Sequence, residues 1–100
     1  MKKAIFDKYA KEVADHFRIK ESDLWTKSKK TDITNARYLL FYLCYKRDII
    51  QQKIIDYCDE YGLKVLRSTL THALKKMEDR VQTDSDYYAI VKRIQESVTI

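Results

Sequence analysis

Apolar side chains recur along the chain with helical spacing. Over residues 4–17, Ile5, Phe6, Tyr9, Ala10, Val13, Ala14 and Phe17 fall on one face of a helix. Ser22 offers an N-cap for a short turn carrying Leu24 and Trp25. Residues 27–30 are basic and without an apolar position, which predicts a loop. Thr34 or Asn35 then caps a helix over residues 36–47, ARYLLFYLCYKR, apolar around most of its circumference and so expected to be the buried hub of a bundle. A further helix spans residues 49–61, with Ile50, Ile54, Tyr57, Cys58 and Tyr61 on one side. Gly62 follows where a left-handed residue ends a helix. Over residues 66–80, Leu66, Leu70, Ala73, Leu74 and Met77 form an apolar stripe. Ser68, Thr71, His72 and Lys75 lie opposite it, flanked by Thr69 and Lys76. A last helix begins near Ser85 and repeats Tyr87, Val91, Ile94 and Val98, close to a heptad seam. The expected fold is all-α, a bundle of five to six helices in one domain covering residues 1–100.

Composition narrows the functions open to such a bundle. The 100 residues include one glycine and no proline, so neither a Walker A loop nor a dinucleotide-binding fingerprint is present in them. The formal net charge of +5 is uneven: residues 1–50 carry twelve bases and seven acids, residues 51–100 eight of each. Residues 27–37 hold Lys27, Lys29, Lys30 and Arg37 against Asp32 alone, and residues 63–76 hold Lys64, Arg67, Lys75 and Lys76 with no acid. Two acid-poor basic segments point to a polyanion. A membrane is the weaker reading, because no apolar run approaches the length of a span and the amino terminus lacks a signal-peptide pattern. Cys44 and Cys58 lie in helical patterns with no CxxC, read as buried thiols in a reducing cytoplasmic setting, and no metal site is expected. His16, near the end of the first helix where a cation is favoured, reads as structural or merely exposed.

A helix, a glycine-marked turn and a second helix outline a helix-turn-helix, whose second helix enters the major groove amino end first. That end carries Arg67, Ser68, Thr69, Thr71 and His72, with Lys75 and Lys76 one turn on. A forked donor suits guanine and hydroxyls suit bases or phosphates, while the free backbone N–H groups welcome a phosphate. The same polar face would also suit any solvated helix. Trp25, Tyr38, Tyr42 and Tyr45 have the chemistry to stack on bases, but core packing is the simpler expectation. Catalysis by Ser68 and His72 lacks a nearby orienting acid.

The order of residues carries a further signal. Val13 and Phe17 open V-x-x-x-F, followed by Asp23-Leu24, the K-S-K-K of residues 27–30, A-R-Y-L-L-F-Y-L from Ala36, and T-H-A-L-K-K-M-E from Thr71. Over residues 10–80 this resembles domain IV, the carboxy-terminal DNA-binding domain of the bacterial replication initiator family DnaA. The resemblance implies that Arg37 enters a minor groove and that Lys27, Lys29 and Lys30 contact phosphates. It likewise implies that Ser68, Thr69 and His72 sit on a recognition helix. The implied partner is double-stranded DNA, bound without cofactor, metal or small-molecule substrate.

The departures are specific. The family pattern G-G-R-D-H-T-T-V is replaced by Leu63, Lys64, Val65, Leu66, Arg67, Ser68, Thr69, Leu70, so Val65, Leu66 and Arg67 hold the arginine, aspartate and histidine positions. An acidic acceptor for cytosine is missing and Arg67 adds a guanine-type donor. Ala36 stands for the family's proline before Arg37. The expectation is a non-enzymatic, DnaA-like regulator of replication or transcription with an altered site preference, of a kind a phage or mobile element would encode. The alternatives are a protein-interaction or homodimerisation module using Leu66 and the seam from Tyr87 to Val98, and a binder of RNA or single strands.

Overall fold

A computed structural model describes residues 2–98. Five helices, α1 (Lys2–Phe17), α2 (Thr31–Lys46), α3 (Gln51–Glu60), α4 (Arg67–Thr83) and α5 (Ser85–Ser97), are joined by short connections, with a 3₁₀ turn at Glu21–Trp25. Among the described residues there is no strand. The all-α bundle expected from the spacing is the fold observed.

The hub is α2. Ile33, Ala36 and the unbroken run Leu39, Leu40, Phe41, Tyr42, Leu43, Cys44 are all buried. Six consecutive buried positions cover the full circumference of a helix, so α2 needs neighbours on every side. It has them in α1, α3, α4 and the 3₁₀ turn. Each fully buried leucine there contributes about 1.5–3 kcal/mol of transfer free energy. Burial raises the pKa of the Tyr42 phenol, assisted by Glu78. Cys44 and Cys58 are free and buried, and burial pushes the Cys58 thiol up to about 12.

Three helices end in the same way. After α3, Gly62 has φ +89°, its N–H bonds to Asp59 O at 2.9 Å, and the Leu63 N–H bonds to Cys58 O at 3.0 Å. This pairing of the last carbonyls is a Schellman motif, with glycine at the left-handed position as expected. The ends of α1 and α2 repeat it with Arg18 (φ 56°) and Asp48 (φ 64°), the following N–H groups of Ile19 and Ile49 reaching back to Ala14 O and Cys44 O. With a single glycine in the sequence, two of the three left-handed positions among the described residues fall to residues with side chains.

Helix starts differ from the expectations. α2 begins at Thr31, so Thr34 and Asn35 lie inside it and cap nothing; its N-cap, Lys30, makes no side-chain cap. Ser22 lies within the 3₁₀ turn, and the Asp23 carboxylate accepts the Lys20 N–H at 3.0 Å in its place. Leu66 and Ile50, expected in apolar stripes, are each 64% exposed. Both are extended N-cap residues, so the helical phase that aims their neighbours inward does not reach them. Tyr45, expected in the core, is half exposed. His16 is half-buried at the end of α1, and burial and then Arg93 lower its pKa, the guanidinium donating to Nδ1 at 3.0 Å.

At the carboxy end, Val91, Ile94 and Val98 are buried in the chain's own core, so this part of the seam, the surface that the protein-interaction alternative would use, packs within the chain. An aromatic stack ties the front of the molecule together: the Trp25 ring lies 4.9 Å from Tyr61 and 5.8 Å from Phe6, near-parallel to both. Lys3 sits 4.6 Å over the Tyr61 ring, whose hydroxyl donates to Asp7 at 2.6 Å.

Candidate nucleic-acid interface

Two segments frame the site. The first is the basic loop before α2. Its backbone is shaped by its own hydroxyls: Thr26 Oγ1 accepts the Ser28 N–H at 3.3 Å and Ser28 Oγ accepts the Lys30 N–H at 3.2 Å. Such local bonds compete with helix and hold a loop in a defined turn. From the second turn of α2, the Arg37 guanidinium donates to Thr26 O at 2.6 Å and to Ser28 O. The half-buried fork thus holds the loop from behind, and burial lowers the Arg37 pKa from its ordinary value. Two nitrogens of one planar fork thus serve two carbonyls of the loop.

The second segment is the helix-turn-helix. α3 and α4 are linked by residues 61–66, longer than the usual three- to four-residue turn, with Leu63 and Val65 buried as anchors. The first turn of α4 carries no acid, and its N-cap gives no side-chain bond, so its opening N–H groups are open to an anion. Arg67 is directed by α3: its guanidinium donates to Gln52 Oε1 at 2.6 Å and to Gln51 Oε1 at 3.3 Å.

A cleft of about 550 Å³ separates the segments. Lys27, Lys29, Arg37, Lys64, Leu66 and Thr69 line it together with Ser28, Thr34, Tyr38 and buried apolar residues beneath. The structure therefore brings together five of the residues singled out from the sequence: Lys27, Lys29, Arg37, Lys64 and Thr69. Lys30 is exposed at the α2 start outside this lining, and Ser68, Thr71, His72, Lys75 and Lys76 continue as an exposed face of α4. The His72 ring meets Tyr38 edge-on at 6.4 Å. Among the described residues, the ion pairs join Lys3 to Asp7 and Glu60 and Lys46 to Glu78, so the lysines at 27, 29, 30, 64, 75 and 76 are uncompensated.

Gln51 and Gln52 were not among the candidates. No sequence signal links them to Arg67, fifteen and sixteen residues away, because only the turn geometry brings the two helix starts together. Thr26 and Ser28 were missed because they act through carbonyls, which every residue has. Among the described residues no group of acids, histidines and cysteines could hold a metal ion, and no helix is long and apolar enough to cross a membrane.

No family model matches the chain, and no solved structure gives a significant match. Curated relatives do. The chain is 30% identical over 88 residues to the chromosomal replication initiator protein DnaA of Citrifermentans bemidjiense, covering 88% of this chain and 19% of that protein. It is 30% identical over 88 residues to the DnaA of Geobacter sp. strain M21, covering 88% and 18%, and 26% identical over 86 residues to that of Aliarcobacter butzleri, covering 86% and 19%. The chain spans about a fifth of the length of these relatives. The chain is thus a distant homologue of the DnaA initiators, over a stretch the size of their domain IV.

Proposed function

We propose that these residues form a sequence-specific double-stranded DNA-binding module, non-catalytic, acting in the control of replication or transcription. The observation that carries the reading is the shared cleft: uncompensated lysines of the basic loop face the start of α4 across it. An α-helix with side chains is about 10–12 Å across and fits the major groove, about 12 Å wide. With α4 in that groove, Arg67 reaches a guanine, Ser68, Thr69, Thr71 and His72 meet bases or phosphates, and Lys75 and Lys76 follow the backbone. Lys27, Lys29, Lys30 and Lys64 contact phosphates and fix the register; base contacts supply the preference. Arg37 supports this surface by holding the loop, and the minor-groove contact implied by the DnaA resemblance requires it to release those carbonyls.

The test is selection from a random duplex pool at near-physiological salt with scrambled competitor, followed by anisotropy against salt. Enrichment of one short motif is expected, with a log–log salt slope of roughly −4 to −5 for about five phosphates. No enrichment, or affinity indifferent to salt, overturns the proposal.

A further inference from the structure

We propose that Leu66 reads the 5-methyl group of a thymine; this inference rests on the placement of α4 in the major groove. Leu66 is 64% exposed although its sequence neighbours Leu63, Val65 and Leu70 are all buried. Its extended backbone, φ −79° and ψ 146°, projects it from the N-cap of α4 rather than along the helix's inner stripe. The side chain lines the cleft beside Lys27, Lys29, Lys64 and Thr69. It is the apolar member of a rim otherwise built to meet a polyanion.

A single exposed leucine needs no explanation in a free protein. At the tip of a helix that docks on DNA it does, because docking removes water from it. Phosphates and sugars present charge and hydroxyls, and the base edges of the major groove present hydrogen-bond donors and acceptors. The apolar group available there is a pyrimidine 5-methyl, carried by thymine. Leu66 opposite cytosine would leave the N4 amino donor without an acceptor, a cost that a thymine avoids. Arg67 leans the other way, onto Gln51 and Gln52. Adjacent residues thus meet different surroundings, Leu66 the cleft and Arg67 the start of α3. The shared chemistry extends to 5-methylcytosine, which keeps the methyl but also the unpaired amino donor.

The test uses the selected duplex, replacing its thymines one at a time by deoxyuridine, which removes the methyl alone. At one position affinity falls about three- to five-fold, the expected effect of one buried methyl group. Leu66→Ala, whose far-UV circular dichroism checks its folding, loses affinity and no longer distinguishes thymine from deoxyuridine there. Sensitivity that persists in Leu66→Ala, or no sensitive thymine at all, overturns the inference while leaving groove binding intact. Binding to 5-methylcytosine as tight as to thymine at that position overturns the thymine assignment. A pool from which no duplex is enriched overturns the groove placement itself.

Discussion

Arg37→Ala separates two roles for one arginine. In the structure its guanidinium donates to two carbonyls of the basic loop, Thr26 O and Ser28 O. Bonds from a charged donor contribute roughly 1.5–3 kcal/mol each when well buried, but the loop carbonyls are open to water once released, so about 1 kcal/mol apiece is the fitting estimate. Removal therefore costs about 2 kcal/mol of stability. In a domain of this size that lowers the thermal midpoint by roughly 8–16 °C. Urea unfolding followed by far-UV circular dichroism measures it, as a lower midpoint with unchanged slope. Arg37→Lys recovers less than half, since an ammonium cannot span both carbonyls as a fork does. On DNA, the freed loop must be ordered again at binding; re-fixing one residue's worth of backbone freedom, about 1–2 kcal/mol, lowers affinity roughly ten-fold on every duplex alike. Unchanged stability with relaxed preference at one base pair would refute this reasoning and make Arg37 a reader of DNA.

Three further outcomes follow from the geometry. A Cβ added at Gly62 meets nothing within 4 Å, so Gly62→Ala costs only its left-handed backbone, about 1–2 kcal/mol, whereas Arg18→Gly at φ 56° stabilises by up to about 1 kcal/mol; urea midpoints moving the other way would contradict the assignment of both caps. Because burial and Arg93 hold the His16 pKa below its ordinary 6.5, the unfolded chain binds the proton first: the His16 contribution is whole above 6.5 and fades as pH falls through and below that value. His16→Gln should flatten stability between pH 7 and 5, and an unaltered pH profile would show that the ring is not so held. Gln52→Ala, which frees one arm of Arg67, should weaken the selected duplex by about three- to ten-fold while scrambled DNA binds as before; equal losses on both would mean that the brace does not aim a base contact.

The elements that could be read from the sequence are those whose signal is local. The apolar circumference of α2, the stripe of Leu70, Ala73, Leu74 and Met77, and the glycine stop after α3 each follow from side chains a few residues apart. Leu66 and Ile50 escaped because a helical period was extended one residue too far, onto N-caps with extended backbone. The start of α2 escaped because no side chain caps it. Of the site, charge alone grouped the lysines, and the structure places Lys27, Lys29 and Lys64 on one cleft. What charge could not convey was which groups are already engaged: Arg37 on carbonyls, Arg67 on two glutamines.

The aromatic stack gives the protein a gauge of its own shape. Trp25 stands immediately before the carbonyl that Arg37 holds, and Tyr61 immediately before the glycine that opens the path to α4. Their rings lie 4.9 Å apart, so the segments leading to the two sides of the cleft are packed against each other. A change in the spacing of these two segments would have to slide the rings or bend the backbone beyond them. Trp25 is the sole indole in the chain, so its emission reports on this stack without a label.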